Sequence, residues 1–143
     1  MMIMTILRRY YMFDLLELQK RSTAKRYEKN QLIIKEGDKS YSMYIVLAGL
    51  VRVVKNYNEF DQMSVANLGP GEFFGEMSLF LLKERTATVV TVEETVVLEI
   101  NQTNVFDMMS ENPQMPYSII KTLCSRIDDL NERVRMVKNV PMT

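Results

Sequence analysis

The alternation of apolar and polar positions changes character twice along the chain. Residues 3–26 mix apolar side chains (Ile6, Tyr10, Phe13, Leu16, Leu18) with Arg and Lys at helix-like spacing, which predicts a helical leading segment over about 3–28. From Gln31 the texture turns to short β-rich runs separated by turn residues. These are Gln31–Lys35, Gly37-Asp38 as a turn, and Met43–Val54 interrupted by Gly49. After a polar stretch at 55–61 come Met63–Leu68, the Gly69-Pro70-Gly71 turn, Ala87–Val92 and Thr95–Ile100. Several short strands at regular spacing with Gly and Pro punctuation point to an antiparallel barrel or sandwich rather than a parallel sheet. Gly49 inside an apolar run marks a bend or a close backbone approach.

Two segments leave the β pattern. Gly75–Leu82 (GEMSLFLL) is long enough for one or two helical turns. After Ile100 the chain returns to helical texture. Thr103–Ser110 reads as a short helix with Thr103 as its N-cap, and Asn112-Pro113 breaks it. A longer helix then runs from Pro116, a residue suited to a helix start, to about Lys138. The expectation is one domain over 1–143: a β-roll at about 30–101 with C-terminal helices at about 103–138.

Composition narrows the chemistry. The chain has 143 residues, 47% hydrophobic and 25% charged, which is ordinary for a globular protein. Lys+Arg and Asp+Glu both total 18, so net charge offers no attraction to nucleic acid or an anionic membrane. Residues 1–35 nevertheless carry eight basic side chains against three acidic ones, more in keeping with a solvated helix face than a nucleic-acid arm. Cys124 is alone, so no disulfide can form within the chain, and there is no histidine. The usual zinc sites, His-ligated haem and every His-based triad are therefore excluded, as are a metal-dependent enzyme on a β-roll and a haem or iron–sulfur sensor. No metal, haem or catalytic activity is expected. The opening MMIMTIL is too short to span a bilayer and lacks a basic n-region ahead of it, so a cytoplasmic protein is expected.

The stretch Leu68–Val90, LGPGEFFGEMSLFLLKERTATVV, carries the candidate chemistry. Gly75-Glu76 opens a short helix whose first N–H groups lack intrahelical partners, an arrangement that favours anions. A carboxylate at Glu76 is wrong for a phosphate but right for accepting from a sugar hydroxyl. Arg85 follows nine residues on, and its planar charged fork suits paired phosphate oxygens. Thr86 adds a hydroxyl. Taken singly, Glu76 is an ordinary helix-start carboxylate and Arg85 an ordinary surface charge; together in this frame they make a site.

That stretch resembles the phosphate-binding cassette of the cyclic-nucleotide-binding family, which includes bacterial catabolite activators, cyclic-nucleotide-dependent kinases and gated channels. The matching residues are Phe74-Gly75-Glu76-Met77-Ser78-Leu79 and Arg85-Thr86-Ala87. Upstream, Ile34-Lys35-Glu36-Gly37-Asp38, Tyr44-Ile45-Val46, Gly49-Leu50-Val51 and Leu68-Gly69-Pro70-Gly71 are similar to the family's early strands and its turn before the cassette. The resemblance covers about 30–135. It implies a mainly β fold, an antiparallel jelly-roll barrel with N-terminal helices, a short phosphate-binding helix and a long C-terminal helix. It implies a cyclic nucleotide as ligand, with Glu76 accepting from the ribose 2′-hydroxyl and Arg85 holding the cyclic phosphate. Gly75 and the amides of Met77 and Ser78 would line the cradle, and Thr86 would add its hydroxyl. Thr86 occurs in family members selective for cyclic GMP and in others that prefer cyclic AMP; bacterial-like texture leans to cyclic AMP.

Along the last helix, Ile120, Leu123, Ile127, Leu130, Val134 and Val137 alternate steps of three and four, the spacing of a coiled-coil seam. The same stripe would serve to pack the helix on the barrel. In activator-like relatives the corresponding helix dimerises and covers the base, so a homodimer is expected, with Asn131 near the base. Those relatives continue into a helix-turn-helix domain, whereas this sequence stops at Val140-Pro141-Met142-Thr143. The expectation is a sensor module, stand-alone or separated from its output, that contacts no nucleic acid or membrane itself. A module that has lost nucleotide binding and serves only for docking is the rival.

Overall fold

The computed structural model describes residues 23–138. Eight antiparallel strands form two four-stranded sheets. One has the order β1 (Thr23–Tyr27), β8 (Thr95–Ile100), β3 (Met43–Ala48), β6 (Phe73–Phe74); the other has β2 (Leu32–Ile34), β7 (Thr88–Thr91), β4 (Val51–Lys55), β5 (Met63–Leu68). Three helices complete the described chain: α1 (Glu76–Leu81), α2 (Val105–Glu111) and α3 (Gln114–Lys138). The jelly-roll class with a short helix and a long C-terminal helix is the architecture expected.

Why β3 reads as an unbroken apolar run becomes clear from what covers it. Tyr44 and Val46 point between the sheets, with Val51, Leu68, Phe74, Val89 and Val97. Met43 and Ile45 point the other way, onto Leu79, Leu98, Ile100 and the helical residues Val105, Met108, Met115 and Ile119. A strand buried on both faces has no polar side to alternate with. Gly49 ends this strand at φ 95°, and a Cβ there would lie 2.4 Å from the Glu94 carbonyl oxygen. Only glycine fits so close an approach. Here the chain leaves the first sheet for the second.

Three expectations are corrected. Thr23–Tyr27, at the end of the segment read as helical over 3–28, is a strand paired with β8 from Thr23↔Glu99 to Tyr27↔Thr95. Its basic residues are cross-strand partners: Lys25 meets Glu99 at 3.2 Å and Arg26 meets Glu94 at 2.7 Å. Charges of this kind suit the edge of a sheet, and in sequence they imitate a helix surface. The remainder of that helical reading, 3–22, lies outside the described residues. Second, Thr103 is not the cap of α2, which begins at Val105. The Asn101 side-chain oxygen instead accepts from the N–H groups of Thr103 (2.9 Å) and Asn104 (3.1 Å), forming the turn ahead of the helix. Third, α3 starts at Gln114, so Pro116 sits inside its first turn, where its missing N–H leaves no bond unmade.

The helices pack by their near ends. Met115 and Ile119 are buried and Leu123 packs partly on the same cluster. Beyond Leu123, Ile127, Leu130, Val134 and Val137 are all at least half exposed. Leu98, by contrast, is fully buried between β3 and the helices. Leu98→Ala should cost about 2–5 kcal/mol through lost transfer energy and a cavity, and the exposed Phe106→Ala less than about 0.5 kcal/mol. Urea unfolding of both variants checks this contrast.

Candidate functional site

β5 ends at Leu68, and the Gly69–Gly71 turn folds back so that the Gly71 N–H donates to the Val46 carbonyl at 2.7 Å. This delivers the two-residue strand β6 to the edge of β3, with Phe74 opposite Tyr44. Gly75 follows in the left-handed region (φ 81°, ψ 6°), turning the chain into α1. A Cβ on it would lie 2.8 Å from Arg85 Nη1 and 2.8 Å from the Ser42 carbonyl oxygen. Gly75 is thus required twice, by backbone conformation and by the side chain it lets approach.

Arg85 is that side chain, and it is only 2% exposed. Its Nε donates to Ser40 Oγ at 2.8 Å and its Nη1 to the Gly75 carbonyl at 3.3 Å. The guanidinium carbon lies 5.9 Å from the centre of the Tyr44 ring. Nη2 is buried with no hydrogen-bond acceptor among the described residues. Burial pushes the Arg85 pKa below its ordinary value, while Tyr44, Glu99, Asp38 and Glu76 pull it back. A guanidinium nevertheless stays charged at any ordinary pH. Below it Tyr44 stacks on Phe74 with centroids 5.2 Å apart and donates its hydroxyl to Glu99 at 2.7 Å. Burial first, then Glu99, pushes the Tyr44 phenol upward, so it remains a neutral donor.

Glu76 is 8% exposed, and its partner comes from the far end of the chain. Arg126 of α3 donates from Nη1 to Glu76 Oε1 at 2.7 Å and from Nη2 to the Phe73 carbonyl at 3.2 Å. Its guanidinium carbon sits 4.8 Å from the centre of the Phe73 ring. The sequence reading missed Arg126. The signal was present, because Arg126, Asp129, Leu130 and Arg133 follow i, i+3, i+4, i+7 spacing on one face of the helix. All four line the cavity, while Asn131, chosen for the base, is exposed and outside that lining.

The cavity measures about 390 Å³. Gly75, Glu76, Met77, Ser78, Arg85 and Thr86 all border it, so the cassette residues converge on one place. Ser78 is buried and Met77 half-exposed. The opposite walls are apolar, from Val53, Ala66 and Leu68 of the β4–β5 hairpin and Val89 of β7. The Thr86 carbonyl accepts from Lys55 Nζ, and that ammonium also pairs with Glu36 at 3.3 Å. The Asn56 N–H, donating to Glu36 at 3.0 Å, and then Lys55 hold the Glu36 carboxyl below the usual carboxylate range. The cavity is concave and mostly apolar, and among its lining residues is a buried cation with an unpaired nitrogen, which suits a small organic anion. Among the described residues no three side chains of metal-ligating kinds cluster, and no helix is long and apolar enough to cross a membrane.

The model of the cyclic nucleotide-binding domain matches residues 24–112. The chain is 32% identical over 101 residues to the cyclic AMP receptor protein of Thermus thermophilus, covering 71% of this chain and 47% of that one. It is 30% identical to a cGMP-dependent protein kinase of Toxoplasma gondii, over 92% of this chain and 12% of the kinase. The chain therefore spans about half the length of the first relative and a small part of the second. Among solved structures, the Thermus thermophilus catabolite activator protein superposes with a TM-score of 0.78 at 26% identity, over 87% of this chain and 58% of that one. A cyclic nucleotide-binding domain from Methylobacillus flagellatus, with a TM-score of 0.69 at 18% identity over 89% of this chain and 72% of its own, shares the fold. With the cassette assembled and the family model matching most of the described barrel, this chain belongs to the cyclic nucleotide-binding domain family.

Proposed function

We propose that this chain is a regulatory module, not an enzyme, that binds a 3′,5′-cyclic nucleotide and couples its arrival to α3. The observation that carries the reading is Arg85, which lines the cavity and whose Nη2 is a charged donor buried without an acceptor among the described residues. Leaving such a donor unpaired is unfavourable unless an anion completes it. A cyclic phosphate offers two exocyclic oxygens to Nη2, with the amides of Met77 and Ser78 at the start of α1 and the Thr86 hydroxyl as further donors. The ribose 2′-hydroxyl would donate to Glu76. The base would extend toward the face of α3 that carries Asp129, Leu130 and Arg133, in place of Asn131. The lean to cyclic AMP rests on the Thermus relative, itself named a cyclic AMP receptor protein.

Arg126 supplies the coupling. It already holds the Glu76 carboxylate, so a ribose hydroxyl arriving there must share or displace it. Either outcome changes the contacts of α3, which is the differential interaction a ligand needs to move a helix. One rival reading has a specific observation behind it: because Arg126 satisfies Glu76, the pocket could be self-filled and the module serve only for docking. Arg85 Nη2 argues the other way, since Arg126 leaves it unpaired.

The exposed stripe Ile127–Val137 supports a second element of the proposal, a homodimer through α3. Leu123 is the last residue of the heptad seam to pack partly on the core, and the seam continues for two more heptad steps without cover. A self-complementary helix face is what a two-fold partner covers. A protein working in the cytoplasm accords with these features.

Two expected outcomes follow. In calorimetric titration the parent takes up cyclic AMP or cyclic GMP and discriminates against the uncyclised monophosphate. Arg85→Ala weakens uptake by roughly 2–5 kcal/mol, with folding monitored by circular dichroism because Arg85 also ties Ser40 and Gly75. Glu76→Gln weakens the ribonucleotide but hardly affects its 2′-deoxy analogue. A parent that binds neither cyclic nucleotide would leave the docking reading in its place. For the dimer, Val134→Asp is the cleaner variant because Leu130 lines the cavity and Val134 does not. Sedimentation of the parent should give a dimer and of Val134→Asp a monomer that still binds nucleotide; a parent monomeric at tens of micromolar (a practical working range) removes the dimer.

A further inference from the structure

We infer that Ser40 is a positioning residue for the phosphate arm, setting the direction in which Arg85 offers its unpaired Nη2. The inference rests on the reading that Arg85 receives the cyclic phosphate. It goes beyond that reading by placing the geometry of recognition in the β2–β3 turn, outside the cassette.

A guanidinium is planar, so fixing two of its nitrogens fixes the third. Nη1 is held by the Gly75 carbonyl at 3.3 Å, a long contact. Nε is held by Ser40 Oγ at 2.8 Å, an ordinary hydrogen bond and the better of the two. The Tyr44 ring lies to one side at 5.9 Å, too far to stop the plane from rotating alone. Ser40 is the group that removes that freedom.

The turn that carries Ser40 also grips the Arg85 backbone. The Arg85 N–H donates to the Asp38 carbonyl at 2.9 Å, and the Gly37 N–H donates to the Arg85 carbonyl at 2.9 Å. Main chain and side chain of Arg85 are thus referred to one short segment, about 45 residues away in sequence. Such a frame orders the arm before the ligand arrives, and preorganisation of this kind lowers the cost of binding. Ser40 itself is exposed, and its hydroxyl serves no core contact. Its replacement should therefore be felt at the arm rather than in the stability of the barrel.

The two exocyclic oxygens of a cyclic phosphate are stereochemically distinct, so replacing one with sulfur gives Rp and Sp phosphorothioates. A fixed N–H fork distinguishes them and a swivelling one distinguishes them less. The experiment measures affinity for cyclic AMP, cyclic GMP and both phosphorothioates in the parent, Ser40→Ala and Ser40→Thr. Exchange of the Arg85 Nε–H is followed by NMR without ligand, and thermal unfolding is recorded alongside. Ser40→Ala should lose roughly tenfold in affinity, the worth of one hydrogen bond to a charged group. The Rp/Sp ratio should shrink and Nε–H exchange should accelerate, with unfolding unchanged. Ser40→Thr, which keeps the hydroxyl, should restore all three. Parent-like affinity and Rp/Sp ratio in Ser40→Ala overturn the inference while the function reading stands. So does a loss of affinity that tracks lowered thermal stability with the ratio intact. A parent that takes up no cyclic nucleotide at all removes the function reading, and this inference with it.

Discussion

A guanidinium taken out of water needs partners for five N–H groups and a counter-charge, and much of the structure around Arg85 answers to that requirement. Ser40 and the Gly75 carbonyl each accept from one of its nitrogens, and Tyr44 lies alongside its plane. Gly75 must lack a side chain so that Nη1 can reach the backbone. Tyr44 must stay neutral and anchored, which Glu99 secures by accepting its hydroxyl, and Lys25 on the neighbouring edge strand in turn pairs with Glu99. A chain of contacts therefore runs from the edge of one sheet to the floor of the cavity. What this chain of contacts leaves unpaired is Nη2, on a side chain that lines the cavity. Burying a charge with a nitrogen left unpaired is costly in isolation, and an anion arriving there would offset that cost.

The second constraint is that the same site is spanned by two parts of the chain that are remote in sequence. Glu76 belongs to α1, which is carried on β6 and so on the barrel; Arg126 belongs to α3, which packs on the barrel only through its first half. The Arg126 guanidinium lies on the Phe73 ring and donates to the Phe73 carbonyl as well, so it grips both the strand and the helix of the cassette. Any ligand group that engages Glu76 therefore acts on α3 without a relay through the hydrophobic core. Coupling by a shared carboxylate is short-ranged and needs no rearrangement of packed side chains, which resist graded deformation.

How far the sequence could be read follows from how each residue earns its place. β5 and β8 were legible to the residue because local patterning and flanking turns define them. The grouping of the cassette residues was legible because it lies in residue identity at fixed spacing, and the structure brings Gly75, Glu76, Met77, Ser78, Arg85 and Thr86 to one cavity. β6 was not legible, since two residues carry no period; only pairing to β3 makes them a strand. β1 was misread because its lysine and arginine answer to acids on β8 and just before it, about seventy residues away. Arg126 and Ser40 escaped for a related reason. Each matters through a contact across the fold, with Glu76 or with Arg85; Ser40 does not stand out from neighbouring polar residues, and the helical spacing that includes Arg126 does not name its partner. Asn131, expected near the base from the resemblance, is exposed and outside the cavity lining, whereas Asp129, Leu130 and Arg133 on the same helix line it.

The two halves of α3 answer to different demands, and its stiffness joins them. At 25 residues the helix is about 37 Å long, so its far end lies well beyond the barrel that anchors Met115 and Ile119. Arg126 sits near the middle, at the boundary between the packed half and the exposed apolar stripe. A small rotation about the packed end would be enlarged toward Val137, and on the proposed reading Arg126 is where a bound ligand would impose it. The exposed stripe has no cover within the described chain, so the position of α3 is held on the barrel side by Met115 and Ile119 and on the cassette side by Arg126. Release or reshaping of the Arg126–Glu76 pair removes the second restraint and leaves the first. On the proposed reading, a nucleotide in this cavity would act on the apolar stripe through one ion pair and one rigid element, with a sign set by whether the ribose hydroxyl displaces Arg126 or joins it.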